Sequence, residues 1–302
     1  MKRILVIYYS QTGQLRRILD SMLAPLGGAA GVEITWWDVQ PAKPYPFPWP
    51  VPRFLDVFPE SVLMVPPELK PLPAPPREPF DLVVLAYTVW YLAPSPPISA
   101  FLQSPAADVL RGRPVITVVN ARDKWLTAQE MVKDQLAKLG AKLIDNVAFI
   151  HAGNPLQHTV TTLRWMWTGK KEAFGSFPAA GVSETDIRAA QRFGEAICRA
   201  LEQGTLAAGG PTLKGLGAVS VDNSTVLQEE IARVVFRCWA RWIRAAGRMG
   251  RIARSAMLLL FGACLLVLLL LAAPLVLLLM PFLRKSLPAR CTYYEQPSGG
   301  HP

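Results

Sequence analysis

The sequence is poor in the residues on which metal and thiol chemistry depend. Its 302 residues include only four cysteines and three histidines. The cysteines form no Cys-x-x-Cys pair and have no histidine nearby at ligand spacing; they are Cys198, Cys238, Cys264 and Cys291. We therefore expect no disulfide framework, no metal site and a reducing compartment.

The sequence also lacks two common nucleotide-binding signatures and a catalytic triad. It has no Gly-x-Gly-x-x-Gly motif and no Walker A lysine, which argues against a dinucleotide-binding or P-loop NTPase function. The histidines have no patterned serine, cysteine or acidic partner. No catalytic residue is assigned, and the candidates for proton transfer are Tyr87, Tyr91, His151 and Lys170.

Acidic residues are scarce in the last quarter of the chain. Residues 1–222 carry 22 Lys/Arg and 19 Asp/Glu, whereas residues 223–302 carry 10 and 3. The basic excess therefore belongs to the C-terminal part, and the body has no large positive field for nucleic acid. The apolar run after Met1-Lys2-Arg3 has only six residues, so we expect no signal peptide.

Apolar strands alternate with helical patterns through residues 1–205. This alternation predicts an α/β fold with a doubly wound, five-stranded parallel sheet, and a ligand site beyond the carboxyl ends of the strands. The predicted strands are Ile4–Tyr9, Val32–Val39, Phe80–Thr88, Pro114–Asn120 and Lys142–Ile150, and the predicted helices are Leu15–Leu26, Ser99–Leu110, Thr127–Leu139 and Ser183–Leu201.

Two insertions interrupt the alternation. Residues 41–79 contain fourteen prolines, which exclude one ordinary helix, but their many aromatic residues indicate a loop packed on the body, with Arg53–Leu63 helical. The second insertion, 152–180, contains Trp165 and Trp167. We expect both segments to wall an apolar channel.

The loop after the first strand is a candidate phosphate site. Backbone amides at a helix N-terminus attract anions, hydroxyl groups add donors, and a glycine allows close approach. The alternative is a simple capping turn. The residues concerned are Ser10, Gln11, Thr12, Gly13, Gln14 and Leu15.

The loops after the third and fourth strands add the remaining groups of a cofactor site. The aromatic side chains of the third-strand loop could stack on a flat ring or be core residues, and the polar loop after the fourth strand could bond a ring edge or be a surface turn. Together the three loops describe a flavin mononucleotide (FMN) site at the switch point of a sheet with order 2-1-3-4-5. The candidate ring-binding residues are Thr88, Val89, Trp90, Tyr91, Asn120, Ala121, Arg122 and Asp123.

Two segments resemble flavodoxin-like proteins. VIYYSQTGQL (6–15) is similar to their phosphate loop, and LVVLAYTVWYLAPSPPISAFL (82–102) is similar to the second flavin loop of the flavodoxin-like NAD(P)H:quinone reductases. The resemblance covers about 200 residues and implies a flavodoxin-like fold and bound FMN. It departs at Leu15, where flavodoxins usually have another hydroxyl residue.

A narrower resemblance involves the insertions. YPFPWPVPRFLDVFPESVL (45–63), WMWTGKKEAF (165–174) and the hydrophobic C-terminus resemble the dialkylresorcinol-condensing (aromatase) family found beside lipid-forming ketosynthases. This resemblance implies a role in making the aromatic ring of a long-chain phenolic lipid, and a ketosynthase as a partner.

The C-terminal part indicates a membrane anchor. Arginines recur at steps of three or four in Val226–Arg254, and Ala256–Leu283 has no charge in 28 residues, long enough to span a bilayer or to form a re-entrant hairpin. The predicted organisation is a flavodoxin-like domain (1–205), a linker (206–225), a basic amphipathic helix (226–254), a hydrophobic membrane segment (255–284) and a tail (285–302). The excess of arginine before the apolar run predicts a location on the cytoplasmic face of the inner membrane.

The sequence therefore favours a membrane-associated enzyme that uses FMN to oxidise and aromatise an apolar cyclic diketone. One alternative is a membrane-bound NAD(P)H:quinone oxidoreductase, and another is a flavin-free partner of a ketosynthase. NAD(P)H as reductant and the oligomeric state stay open.

Overall fold

A computed structural model describes residues 1–74, 79–151, 153–208, 211–221, 223–283 and 293–294. In the last long helix it describes the side chains through Val267. The predicted tail 285–302 lies outside the described residues apart from 293–294.

A parallel sheet forms the centre of the protein. Its strands are β1 (Lys2–Tyr8), β2 (Val32–Asp38), β3 (Leu82–Trp90), β5 (Pro114–Ala121) and β6 (Lys142–Ile150), in the order β2-β1-β3-β5-β6. A two-residue strand, β4 (Ala93–Pro94), pairs antiparallel with the end of β3. Counted over the parallel strands alone, this is the predicted order 2-1-3-4-5.

Helices cover both faces of the sheet. They are α1 (Gln14–Gly27), α2 (Val51–Val62), α3 (Pro96–Leu102), α4 (Leu126–Lys138), α5 (Pro155–Thr168), α6 (Glu184–Ala189), α7 (Gln191–Glu202), α8 (Asn223–Met249) and α9 (Arg251–Leu283), with 3-10 turns at Pro105–Leu110 and Thr205–Ala208. Alternate residues of β1 supply both cores: Ile4 and Val6 pack against α1 and α7, whereas Leu5 and Ile7 pack on the opposite face.

Two predicted helices are each divided in the structure. The prediction over Ser183–Leu201 becomes α6 and α7, because the hydrogen bonds around Ala190 are of the 3-10 type: the Ala190 amide donates to the Ile187 carbonyl and the Phe193 amide donates to the Ala190 carbonyl. The prediction over Ser99–Leu110 becomes α3 and a 3-10 turn, separated before Pro105, which cannot continue a helix with a hydrogen-bonded amide.

The C-terminal helices form a hairpin that packs on the proline-rich insertion. The ring of Phe58 in α2 stacks on Phe261 of α9 with 3.8 Å between the centroids. Gly250, whose φ of 128° favours glycine, separates α8 from α9. The predicted basic helix 226–254 is therefore two helices in the structure, because Arg251 and Arg254 belong to α9.

Within the described part of the chain, no helix combines the length and the hydropathy needed to cross a membrane. The predicted anchor therefore has no support from the described residues. Its section 268–283 lies within α9, at positions whose side chains are not described.

Candidate functional site

A cavity of about 380 Å³ lies at the carboxyl ends of β1, β3 and β5. The loops after these strands form one side, and residues of α2, α5, α8 and α9 form the other. The site coincides with the switch point of the strand order, where parallel sheets bind ligands. The volume is in the range of small-molecule pockets, about 300–1,000 Å³.

Eleven of the fourteen predicted cofactor-binding residues line this cavity: Gln11, Thr12, Gln14, Thr88, Val89, Trp90, Tyr91, Asn120, Ala121, Arg122 and Asp123. The other three have different positions. Ser10 and Gly13 shape the loop before α1, whereas the side chain of Leu15 is buried in the core. Leu15 can therefore contribute only its backbone amide. A hydroxyl side chain at this position would point into the core and not into the cavity.

The loop before α1 contains a left-handed glycine and leads into the first amides of the helix. Gly13 adopts a left-handed conformation with φ of 78°, and a Cβ there would meet nothing within 4 Å, so backbone conformation and not space requires glycine. Ser10 Oγ accepts a hydrogen bond from the Arg16 amide at 3.3 Å. The first amides of α1 precede any intrahelical acceptor and carry the positive end of the helix dipole.

Three buried polar side chains meet at the polar end of the cavity. Gln14 Oε1 accepts from the Val182 amide at 3.2 Å and from Asn120 Nδ2 at 3.5 Å. Because the Val182 amide can only donate, it fixes which end of the Gln14 amide is oxygen. Gln14 Nε2, Asn120 Oδ1 and Thr88 Oγ1 are buried and have no hydrogen-bond partner among the described residues. A buried polar group without a partner costs about 1–3 kcal/mol, and all three of these residues belong to the lining of the cavity.

Gly181 packs closely behind Gln14. A Cβ at this glycine would lie 2.3 Å from Gln14 Nε2. The sequence does not reveal this contact, because the segment reaches Gln14 through tertiary packing alone.

A tight turn after β3 presents the aromatic wall. Tyr91 and Leu92 both have positive φ, 51° and 64°, and join β3 to β4 as a two-residue hairpin. Non-glycine residues in this conformation cost about 1–2 kcal/mol each, which the surrounding packing must offset. Trp90 meets the rings of Tyr45 and Trp49 edge-on, with centroid distances of 5.0 and 5.3 Å.

The proline-rich insertion is hydrogen-bonded to the loop before α1. Trp49 Nε1 donates to Gln11 Oε1 at 3.2 Å, and Gln11 Nε2 donates to the carbonyl oxygen of Pro46 at 2.9 Å. The Gln11 side chain therefore belongs to the wall and is not free to hold an anion. Phe47 and Trp165 from the two insertions meet at 5.9 Å, so both insertions wall the cavity, as the sequence predicts.

The loop after β5 carries a compact charge cluster. Asp123 accepts hydrogen bonds from Arg122 Nε and Lys124 Nζ, both at 3.0 Å. Burial raises the pKa of this carboxyl, but the two cations outweigh burial and hold the pKa below its usual value. The cluster therefore contributes two positive charges and one negative charge to the cavity.

Two of the four candidates for proton transfer line the cavity, Tyr91 and His151. The Tyr91 hydroxyl donates to the carbonyl oxygen of Phe54 at 2.6 Å, and burial raises its pKa well above the ordinary value. Tyr87 is fully buried and donates to Gln129 Oε1, and Lys170 is exposed outside the cavity. Neither of these two can act on a ligand in this cavity.

The imidazole of His151 lies beside the cavity in contact with α5. Burial, followed by the charge of Arg122, lowers its pKa to about 3. Its Nδ1 lies 3.2 Å from Thr162 Oγ1 of α5. Near neutral pH the ring therefore carries one proton, and Nε2 is the nitrogen left for a ligand.

A buried carboxylate from α8 lies against the start of α4. Glu229 is 1% exposed and accepts hydrogen bonds from the amides of Trp125, Leu126 and Thr127, at 2.6, 3.0 and 2.8 Å. Burial raises its pKa, although the three amides act in the opposite direction. This contact caps α4 and holds α8 against the loop after β5, so that Ile231 and Phe236 line the cavity.

The chain matches no protein-family model and none of the curated proteins. Solved structures similar to it include a flavoprotein from Lactobacillus acidophilus in complex with FMN, which is 16% identical over 49% of this chain and 93% of its own, with a TM-score of 0.40. Others are a WrbA-like flavodoxin from Agrobacterium tumefaciens (10% identity, 67% and 99% coverage, TM-score 0.35) and a flavodoxin from the domain Archaea (9%, 66% and 99%, TM-score 0.32). The fold assignment rests on the strand order, and these distant similarities add no weight to it.

Proposed function

We propose that the cavity binds FMN and that the protein is a flavin-dependent oxidoreductase. The observation that carries this proposal is the set of three partnerless polar atoms, on Gln14, Thr88 and Asn120, beside the N-terminus of α1. The loop Ser10–Leu15 would hold the phosphate through its amides, and the polar trio would bond the edge of the ring. The residues present therefore fit FMN.

Bound FMN would supply two-electron oxidation and reduction, which no side chain of the chain can perform. The residues around it have simpler tasks. His151 can exchange a hydrogen bond with a ligand through Nε2, but its lowered pKa makes it a weak base near neutral pH. Trp49 and Trp90 give the cavity an apolar wall, and Arg122 places positive charge beside it.

An apolar substrate suits the far end of the cavity. The residues there belong to the helices that cover the sheet, and they are Phe54, Val57, Ile231, Phe236 and Leu265. We propose that the substrate is an apolar cyclic diketone that is oxidised to a dialkylresorcinol-type ring, with a ketosynthase as the source. A flat quinone fits the same aromatic walls, so NAD(P)H:quinone reduction is the second candidate.

The Thr88→Val variant tests FMN binding, because it should lower FMN affinity without lowering the stability of the protein. Valine keeps the shape of threonine but removes the unpartnered hydroxyl. We expect FMN affinity to fall about 3- to 10-fold, while the melting temperature without FMN stays the same or rises, because a buried donor without a partner is removed. FMN affinity would be measured by quenching of flavin fluorescence on the full chain.

Two results would overturn the proposal. One is a wild-type chain that neither carries a yellow cofactor absorbing near ~450 nm nor binds added FMN, which would favour a flavin-free partner of a ketosynthase. The other is a Thr88→Val variant with unchanged FMN affinity and unchanged stability. Oxidation of NADPH that depends on added quinone would instead support the second candidate.

A further inference from the structure

The outer face of α9 is an apolar stripe exposed to solvent. Ile252, Leu259, Leu260, Leu266 and Val267 are between 52% and 88% exposed. They recur at intervals of seven and eight residues, which places them on one side of a helix. The opposite side of α9 packs on the protein through Leu258 and Phe261. Exposed apolar stripes of this length mark interaction surfaces.

The neighbouring helix α8 carries an exposed stripe of one charge. Its arginines recur at steps of four or three and are all exposed: Arg233, Arg237, Arg241, Arg244 and Arg248. From Ile231 to Tyr294 the sequence has no Asp or Glu. Arg254 differs from them, because it turns inward and pairs with Asp56 and Glu60 of α2, both at 2.8 Å. Trp242 and Met249 are also exposed on α8.

We propose that the outer face of the α8–α9 hairpin binds the surface of an anionic lipid bilayer, with both helices lying in the interface. Such a surface offers negative headgroups to the arginines and acyl chains to the apolar stripe. A second copy of the chain would place arginine against arginine, and a nucleic acid would leave the apolar stripe in water. The proposal does not depend on FMN.

The hairpin also connects this surface with the cavity. Phe236 of α8 and Leu265 of α9 line the apolar end of the cavity. A bilayer on the outer face of the same helices would bring that end close to the phase in which an apolar substrate dissolves. The outer face of the hairpin would then bind the bilayer, and its inner face would receive a lipid-like molecule into the cavity.

Co-flotation of the full chain with lipid vesicles tests the proposal. We expect binding to vesicles of phosphatidylcholine with about one-third phosphatidylglycerol, and much weaker binding to phosphatidylcholine alone. Salt at about 1 M, which shortens the screening length to about 3 Å, should release the charge-dependent part. Melting curves would show that each variant is folded.

Matched charge variants decide the outcome. Replacing Arg237, Arg241 and Arg244 by glutamine should weaken binding to the anionic vesicles about 100-fold, since each arginine contributes about 5-fold. The control replaces three exposed basic residues elsewhere, Lys138, Arg188 and Lys214, by glutamine and should bind like the wild type. Equal binding by the two triple variants, or equal binding of the wild type to neutral and anionic vesicles, would overturn the proposal. The proposal would also be overturned if the double variant Leu259→Ser/Leu266→Ser abolished vesicle binding while the arginine substitutions and the lipid charge had no effect.

Discussion

The Glu229 contact predicts that one side chain of α8 stabilises the candidate site. Its carboxylate accepts hydrogen bonds from three backbone amides at the start of α4, which lie 102 to 104 residues away in sequence. Glu229→Ala removes every acceptor at once and leaves the amides of Trp125, Leu126 and Thr127 buried without a partner. The same change frees α8 from the loop that follows β5.

The magnitude follows from the number of amides left unpaired. One buried amide without an acceptor costs about 1–3 kcal/mol, and three amides that share one carboxylate are not additive. We therefore expect the free energy of unfolding to fall by about 3–5 kcal/mol in Glu229→Ala. In Glu229→Gln one oxygen remains for Trp125 and Leu126, while an NH₂ group faces the Thr127 amide, so the loss should be about 1–2 kcal/mol.

Urea unfolding of the full chain measures these losses. The control is Glu195→Ala, an exposed glutamate on α7, which should change stability by less than about 0.5 kcal/mol. Hydrogen exchange should show faster opening at the first turn of α4 and in α8, and not in α1. The reasoning is refuted if Glu229→Ala is as stable as the control, or if glutamine costs as much as alanine.

Three further predictions concern the cofactor loop, pH and the apolar end of the cavity. Gly13→Ala should weaken FMN binding about tenfold or more. The control is Gly112→Ala, which has a similar φ of 69° and open space around it; it should carry the same backbone strain of about 1–2 kcal/mol without a change in FMN affinity. Equal FMN affinities of the two variants would contradict the assignment of the loop. Burial raises the pKa of Asp145 to about 6. The contribution of this group to the free energy of unfolding is therefore complete below pH ~4, and about 3 kcal/mol of it is lost as the pH rises through 6. Asp145→Asn should remove this dependence of the unfolding free energy on pH. Ala232→Trp should weaken binding of a decyl-substituted quinone about tenfold, and Val234→Trp, exposed on the same helix, should not; the same affinity in both variants would contradict an apolar ligand there.

The sheet could be predicted because its signals are local. The strands buried on both faces are continuous apolar runs bounded by turns, and the loops that follow them meet at one edge in any parallel sheet. The position of Leu15 was also readable, since Leu15, Ile18, Leu19 and Met22 share the buried face of α1. A residue on that face cannot direct its side chain into the cavity.

Some missed elements carried a readable signal. Helix α5 begins with a capping box formed by Asn154 and Gln157, has Pro155 at its first position and ends at Gly169 in a left-handed conformation. Gly250 likewise interrupts a helical pattern at the point where α8 ends. In both cases the helix ends are marked by residues with local conformational preferences, independent of the tryptophans and arginines around them.

The Glu229 contact was not readable in this way. The sequence shows only an acidic residue beside the apolar Val226, Leu227 and Ile231, which fits a buried acid or a solvated edge equally well. Its partners lie at the start of another helix. They are backbone amides, which every residue except proline has, so the side chains at these positions do not reveal the contact. Gly181 and Val182 reach Gln14 through tertiary packing alone, so no periodic pattern could announce them.

The relative affinity of the full chain for FMN and riboflavin tests the central claim most directly, because the two ligands share the ring and differ by the phosphate. Amides at the N-terminus of α1 should make FMN bind about 10- to 100-fold more tightly, through charge-assisted hydrogen bonds to the phosphate. Equal affinities for the two ligands, or no binding of either, would contradict a phosphate site in the loop Ser10–Leu15.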